Sequence, residues 1–598
     1  MQYGDQSETL DFLRNAPCGS ADAGDVRIVQ THISIVVLKG DRAFKLKRAI
    51  WLPYADFSTP ALRAAACEQE VILNRRTAPT IYLGVRRVTR ERGGGLAFDG
   101  QGELVDAVVE MRRFDEDTLF SRLAAAGGLD RGLLTALARG VAEFHGQAEI
   151  IATDAGAARI AAVLALNEQC TAMEPVLGAP TTRALRAALR SRLEMHRELL
   201  DARARAGRIR RCHGDLHLRN LCLVDGRPTL FDCIEFNDSF ANIDVLYDLA
   251  FLLMDLWQAG LPAEANLVMN RYMDECDETD GLPLLPFFMA LRASIRAQVL
   301  ATQAELSDAP GQPETIAQAQ AYLTLALALL EPVSARLLAI GGLSGSGKST
   351  VAAAIAHHIG PAPGARILAT DRIRKRLAGV PAETALPPGH YTQESSDQVY
   401  ATLAGQAALT LAGGYPVIAD AVFARAGERQ RIERCATDAG LPFHGIWLEA
   451  APDALMERVI ARRDDASDAG AEVVRAQLQR HRQPVEWATV PAGGTPAATA
   501  AAVASMLGIV EWPAARGDDA PPWSRAPEGW NWLAQDEDGR WFWYAVAPQP
   551  GIAGGVWRSP RRAQQFAAQG APNPRWYESC RQRDTRGEDA VSGGATPA

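Results

Sequence analysis

Cys212-His213-Gly214-Asp215-Leu216-His217-Leu218-Arg219-Asn220 decides the reading of the first half of this chain. The spacing H-x-D-x-x-x-x-N puts one carboxylate and one carboxamide on a single short loop. A carboxylate so placed can face a hydroxyl and take or orient its proton. A carboxamide oxygen a few residues on can ligate a hard cation such as Mg²⁺. Such a loop wants a second metal-binding acid on a nearby strand end. Asp232 stands there, after the apolar Thr229-Leu230-Phe231. His213 and His217 read as braces of the loop, and Asp244 and Asp248 as residues that cap or orient the helix that follows.

Upstream, Ile28–Leu38 and Ala43–Lys47 alternate like the strands of a hairpin with Lys39-Gly40-Asp41 as its turn. A helix is expected over Pro60–Arg76, a buried strand over Ala107–Met111, and mostly helix from Leu119 to Ala206. Short strands near Leu221–Val224 and Pro228–Phe231 flank the decisive loop, and helices resume from Ile243 to about Leu330. A strand-rich part followed by a helix-rich part predicts an α+β domain of two lobes with a cleft between them.

HGDLHLRN followed by LFDCIEF resembles the aminoglycoside-phosphotransferase family of kinase-like small-molecule kinases, as do the upstream THISIVVLKGDRAFKLKR and EQEVILNRRTAP. Asp232-Cys233-Ile234-Glu235, without the glycine of a DFG motif, and His217 point away from protein kinases. The resemblance covers about residues 25–330. It implies that Asp215 is catalytic and that Asn220 and Asp232 hold Mg²⁺. It implies that Lys45, with Lys47 as the alternative, holds ATP phosphates and pairs with Glu70. It also implies that Glu110–Phe114 is the hinge behind the adenine.

A second pattern begins at Arg336. Strand-like Leu337–Ile340 runs into Gly342-Leu343-Ser344-Gly345-Ser346-Gly347-Lys348-Ser349-Thr350, a full G-x-x-x-x-G-K-[ST] motif that opens an Ala-rich helix. Its glycines let backbone N–H groups close around phosphate oxygens at a helix N-terminus, with Lys348 on the terminal phosphates and Ser349 on Mg²⁺. Further strands at Arg366–Ala369, Val417–Ala419 and His444–Leu448 alternate with helices, which predicts an α/β parallel sheet. Asp420 ends one of them, where a Walker-B acid is expected. Asp371-Arg372-Ile373-Arg374 resembles the acceptor side of zeta-toxin-like, gluconate-kinase-like and polynucleotide-kinase-like P-loop kinases within the AAA family ATPases. That resemblance, over about residues 336–508, implies a catalytic Asp371, a substrate-holding Arg374, and a lid whose Arg458, Arg462 and Arg463 close over the phosphates. The plain alternatives are a helix N-cap for Asp371 and a solvated helix face for the arginines.

Taken together, the chain divides into an extension 1–24, the phosphotransferase-like domain 25–332, the P-loop domain 333–510, a Trp-rich extension 511–580 and a tail 581–598 expected to be disordered. Eight of the 12 Trp lie between Trp512 and Trp576, which marks the extension as a separate unit. Its alternating aromatics around Asp536-Glu537-Asp538-Gly539 predict a small β-hairpin, packed on itself or on the P-loop domain, or else a docking surface for a protein partner. Hydrophobic content of 47% is ordinary for a globular protein, and a net charge of −9 argues against a general nucleic-acid or membrane binder. Nine cysteines without a CxxC pair indicate neither a zinc site nor a disulfide framework. With no secretory pattern at the N-terminus, the expected location is the cytoplasm.

The function expected is ATP- and Mg²⁺-dependent transfer of γ-phosphate to small-molecule hydroxyls at two sites. A P-loop ATPase that regulates the first domain, and a polynucleotide-type kinase, are the competing readings of the second. For the first domain the acceptor is expected to be anionic or neutral. Arg292 and Arg296 are four residues apart on one helix face, and a pocket for polycations would carry carboxylates instead. The plain alternative is an ordinary solvated helix face, and the acidic cluster Asp274, Glu275, Asp277, Glu278 and Asp280 counts against this acceptor if it folds over the pocket.

Overall fold

The computed structural model describes residues 4–15, 26–31, 33–52, 54–169, 172–305, 312–461, 467–480, 485–509, 521, 526–527, 529–536, 540–550, 557–558, 564–569, 580–583 and 589–591. Two compact units emerge. One comprises Met1–Ala124, Gly132–Asp255 and Leu291–Gln320; the other comprises Ala125–Arg131, Leu256–Ala290 and Ala321–Ala598.

The first unit is built on a six-stranded antiparallel sheet of β1 (Arg27–Gln30), β2 (Ser34–Lys39), β3 (Arg42–Lys47), β4 (Tyr82–Arg90), β5 (Leu96–Phe98) and β6 (Glu103–Arg112), in the order β1-β2-β3-β6-β4-β5. The single strand expected over Ile28–Leu38 is two. The chain reverses between Gln30 and Ser34, and Ile28 pairs with Val37. Gly40, at φ 55°, makes the turn between β2 and β3, a conformation open to glycine without strain. Helix α1 (Pro60–Asn74) starts with Thr59 Oγ1 accepting from Leu62 N and Pro60 in its first turn. It buries Cys67 and Val71 against Ala107 and Val109 of β6.

The remainder of this unit is mainly helical, beginning with most of α2 (Arg131–Gln147). Two short antiparallel pairs carry the decisive loop: β7 (Ile209–Arg211) with β10 (Asn242–Asp244), and β8 (Leu221–Val224) with β9 (Arg227–Leu230). Helix therefore resumes at Val245 rather than Ile243, in α3 (Val245–Gln258). Next along the chain come α4 (Pro262–Glu275), which belongs to the second unit, and α5 (Leu285–Glu305), of which Leu291–Glu305 belongs to the first. By length and composition Thr279–Glu305 could cross a membrane, but 72% of its most apolar window is buried within the protein.

The second unit centres on a five-stranded parallel sheet. Its elements include β11 (Leu337–Gly341), α6 (Lys348–Ile355), β12 (Arg366–Ala369), α7 (Thr370–Leu377), α8 (Gln393–Ala412), β13 (Val417–Asp420), β14 (Phe443–Glu449), α9 (Pro452–Ala461), β15 (Ala488–Pro491) and α10 (Pro496–Met506). The strand order is β12-β13-β11-β14-β15. Leu337 to Ile340 are fully buried, and their alternation supplies both faces of the sheet. Leu337 and Ala339 join one core with Leu403 and Trp447, while Leu338 and Ile340 join another with Ile355 and Val503. Burial of each such Leu or Ile contributes about 1.5–3 kcal/mol, which fixes the central strand from which the motif departs.

In the Trp-rich region, β16 (Trp532–Gln535) and β17 (Arg540–Tyr544) form the expected antiparallel hairpin, with Leu533 opposite Trp543. It is part of a larger antiparallel sheet with β18 (Gln564–Gln569), β19 (Arg581–Arg583) and β20 (Asp589–Val591), in the order β18-β17-β16-β19-β20. The last two strands fall in the tail expected to be disordered. The turn Glu537–Gly539 lies outside the described residues.

Candidate active sites

On β3, Lys45 and Lys47 are two residues apart and project from the same face. Both meet Glu70 of α1. Lys45 Nζ lies 2.8 Å from Glu70 Oε1 and also pairs with Asp232; Lys47 pairs with the other Glu70 oxygen and with Glu235. Thus the Lys45–Glu70 pair is formed, and Lys47, the alternative, shares the same acid. Burial alone would lower the Lys45 pKa, but Asp232 and Glu70 hold it well above the usual lysine value, so the ammonium stays charged. Glu70 is held below the usual carboxylate range: burial opposes this, and the two lysines prevail.

Glu235 was not singled out from the sequence, and its signal is only a second acid three residues after Asp232. Lys47 and Glu70 are completely buried. Replacing Lys47 by Met should destabilise the first unit by about 3–5 kcal/mol, because two buried carboxylates would then face each other. Denaturant melts check this, and adding Glu235→Gln should recover part of the loss.

The decisive loop is braced from every side. Asp248, fully buried on α3, accepts from His213 N and Gly214 N at 2.9 Å each and lies 3.1 Å from His145 Nε2. Asp255, two turns further along α3, accepts from Leu218 N at 2.9 Å. Asp248 therefore orients the loop rather than its own helix, whereas Asp244 does cap α3 by accepting from Leu246 N at 2.8 Å. His213 donates from Nε2 to Phe231 O at 2.9 Å, tying the loop to the strand end that presents Asp232. His217 accepts from Arg219 N at Nδ1, which leaves its Nε2 proton for Asp215 Oδ2 at 3.2 Å.

Asn220 Nδ2 donates to Asp215 O at 3.0 Å and to Asp215 Oδ2 at 2.9 Å. The Asn220–Asp215 pair and the Lys45–Asp232 pair are held together through the backbone, where Phe231 N, next to Asp232, donates to Asn220 O at 3.1 Å; Asn220 Oδ1 and Asp232 Oδ2 have no hydrogen-bond partner among the described residues. Two oxygens of that kind suit a hard cation. Burial would raise the Asp215 pKa, but His217, His213 and Arg292 hold it below the usual range, so the carboxylate is ionised and can accept a hydrogen bond from a hydroxyl. The expected hinge ends β6 at Arg112, and Phe114 packs edge-on against Phe231 at 5.1 Å.

Arg292 and Arg296 on α5 differ in setting. Arg292 is buried over the rings of Tyr247 (3.9 Å) and Phe251 (4.8 Å), and its Nε donates to Tyr247 O at 3.3 Å. Its Nη2 has no hydrogen-bond partner among the described residues. His217, the partner of Asp215, stands edge-on to the same Phe251 at 5.1 Å. Arg296 is only half-buried.

In the second unit the motif has the geometry its glycines require. Gly342 takes φ 143°, where a Cβ would come within 2.7 Å of Leu448 O. Gly347 at φ 91° caps α6, so Lys348 starts the helix and its Nζ donates back to Leu343 O at 3.1 Å. The Ser344 amide donates to Gln477 Oε1 at 2.9 Å, a partner not anticipated from the sequence. Gly345 and Ser346 complete the loop between β11 and α6, with Ser346 Oγ buried and unpartnered. Ser349 Oγ donates to Asp420 Oδ2 at 2.6 Å, uniting the helix start with the end of β13, and Thr350 is exposed beside it.

Asp371 lies in the first turn of α7, whose N-cap is Ala369, and makes no capping bond. Its half-buried carboxylate has no hydrogen-bond or ion-pair partner among the described residues. The N-cap alternative therefore does not hold. Arg374, buried one turn later, donates to His390 O at 2.8 Å and lies 4.9 Å over the Tyr391 ring. Asp468 accepts from Leu386 N at 3.0 Å and also binds Lys375 and Tyr391, joining α7 to the 384–391 segment; sequence reasoning missed it. Arg458 is not directed at the motif in this structure. Its guanidinium donates to Ala492 O at 2.7 Å and Gly494 O at 3.0 Å, bonds that would have to break before it could clamp a phosphate. Arg462 and Arg463 lie outside the described residues.

Comparison with known proteins agrees with both halves. Residues 100–281 match the phosphotransferase enzyme family, and residues 337–484 match an AAA domain. The class of protein is therefore a kinase-like phosphotransferase region followed by a P-loop kinase-type region. Within that class, the chain belongs to the family of the uncharacterized protein Rv2004c of Mycobacterium tuberculosis, to which it is 31% identical over 474 residues, covering 78% of this chain and 91% of the relative. Adenylyl-sulfate kinase of Myxococcus xanthus is 32% identical over 123 residues, 20% of this chain and 62% of that protein. Among solved structures, a gluconokinase from Sinorhizobium meliloti is 23% identical, with 29% of this chain and 96% of that chain covered at a TM-score of 0.21.

Proposed function

We propose that the chain is an ATP-dependent phosphotransferase with two ATP sites, each passing γ-phosphate to a hydroxyl of a small molecule. The observation that carries the first site is the placing of two sets, Lys45–Glu70–Asp232 and Asn220–Asp215, next to each other by the Phe231 N to Asn220 O bond. In this reading Lys45, fixed by Glu70, holds phosphate oxygens, and Asp215 accepts the hydrogen of the acceptor hydroxyl. Asn220 and Asp232 would hold Mg²⁺, which supplies charge neutralisation on the phosphates.

For the second site, the amides of Gly342–Gly347 and Lys348 would cradle ATP phosphates, and Ser349 with Asp420 would hold Mg²⁺. The carboxylate of Asp371, with no hydrogen-bond or ion-pair partner among the described residues, favours a kinase over an ATPase without an acceptor, because a regulatory ATPase has no use for a free acid on that helix. Arg374 beside it would hold the acceptor. The cationic Arg292, buried over Tyr247 and Phe251 beside Asp215, supports an anionic or neutral acceptor at the first site, since a polycation would be repelled there.

Incubation of the full chain with γ-labelled ATP and panels of anionic sugars, aminoglycosides and oligonucleotides tests this reading. Labelled small-molecule products are expected, with anionic sugars preferred over aminoglycosides. Phosphate release alone would favour the ATPase reading, and labelled oligonucleotides the polynucleotide one. Both activities should fall to background when divalent ions are stripped and return with Mg²⁺; undiminished ATP turnover in EDTA would contradict the metal assignment.

A further inference from the structure

Helix α4 carries Asn266, Asn270 and Asp274, spaced four residues apart and therefore on one face. That face docks on β12, the edge strand of the parallel sheet. Asn266 Nδ2 donates to Pro363 O (2.9 Å) and Ala365 O (3.1 Å). Asn270 Oδ1 accepts from Ile367 N at 2.7 Å and from Arg366 Nη1 at 3.1 Å, and its Nδ2 donates to Ala365 O at 3.2 Å. Side-chain amides thus satisfy backbone groups that an edge strand would otherwise leave to water.

The third residue of the stripe does something different. The Asp274 carboxylate meets Arg366 Nη2 at 2.8 Å, Arg271 Nη1 at 2.6 Å and Arg372 Nη1 at 3.4 Å. Arg372 directly follows Asp371 and lies two residues before Arg374 on α7. One half-buried acid therefore joins β12, α4 and α7, its contact with Arg372 of α7 being an ion pair at 3.4 Å without a hydrogen bond. Three guanidiniums share it, so removing its charge would leave buried like charges repelling one another across the joint between α4 and α7. Burial already holds the Arg271 pKa down to about 9 in this setting, Arg372, Arg131 and Arg366 adding to the effect and Asp274 opposing it. Notably, α4 belongs to the stretch that matches the phosphotransferase family, although it packs in the unit of the P-loop sheet.

We propose that Asp274 is a positioning residue for the second site, fixing through Arg372 the helix that presents Asp371 and Arg374 to the acceptor. The proposal rests on the reading of α7 as the acceptor side. It makes part of the phosphotransferase-matched stretch a working component of the P-loop unit.

The test uses the full chain with Asp274→Asn, and with Arg372→Met as a milder variant that leaves the other two arginines paired. Hydrogen exchange of the peptide spanning 366–378 is expected to quicken roughly tenfold in both, while the peptide spanning 337–350 is unchanged. Second-site affinity for a fluorescent ATP analogue, read in each variant as the binding that Lys348→Ala removes, should stay within about twofold, since the phosphate cradle is untouched. Asp274→Glu should restore slow exchange. Unchanged exchange over 366–378 in both variants, or an equal rise over 337–350, would overturn the proposal. If α7 loosens as expected but Asp371→Asn leaves second-site product formation intact, the positioning stands and the acceptor reading fails.

Discussion

Asp215→Ala should lower transfer at the first site on the order of 10²-fold or more, the usual scale for removing a positioned acid–base group. The structure gives this residue no substitute. Asn220 Nδ2 and His217 Nε2 both aim at its carboxylate, and neither can accept a proton from a hydroxyl in that arrangement. Affinity for ATP at that site should change little, because Lys45, Glu70 and Asp232 form their contacts without Asp215. Product formation at saturating ATP is the quantity to measure, and a fall in ATP affinity with turnover preserved would assign Asp215 to nucleotide binding instead.

Lys348→Ala should abolish ATP use at the second site by a similar factor, on the order of 10²-fold or more, since a fixed cation facing the transferring phosphate stabilises charge that grows in the transition state. Lys348 Nζ already folds over the motif to reach Leu343 O, so it is held where the phosphates would enter. The variant should fold normally, because the cores on either side of β11 contain no part of this side chain. ATP turnover measured in the Asp215→Ala background isolates the effect. Retained turnover there would mean that the P-loop is not the second nucleotide site.

What the sequence revealed and what it hid follow from distance along the chain. The Asp215–Asn220 loop and the 342–350 motif are contiguous, so backbone geometry alone dictates their residue types. The Lys45–Glu70 pair was legible only through resemblance, and the sharing of Glu70 with Lys47 and Glu235 was not legible, since Lys47 and Glu235 are 188 positions apart. The same holds for Asp468, which reaches back 93 positions to Lys375. Arg458 sits at a helix position compatible with a lid arginine, and in this structure it is bonded to the loop after β15. Periodicity marked Ile28–Leu38 as strand but could not show the reversal between Gln30 and Ser34, since both resulting strands favour the same residue types. The Asn266–Asn270–Asp274 stripe reads in sequence as an ordinary polar helix face, and only the β12 edge gives it meaning.

The central claim is that one chain performs two separate ATP-dependent transfers. The most direct measurement is γ-labelled product formation by the wild type, Asp215→Ala, Lys348→Ala and the double variant, on the same metabolite panel. The account predicts two labelled products from the wild type, a different one missing from each single variant, and none from the double variant. Loss of all ATP turnover and all products in Lys348→Ala, with Asp215→Ala indistinguishable from wild type, would contradict it.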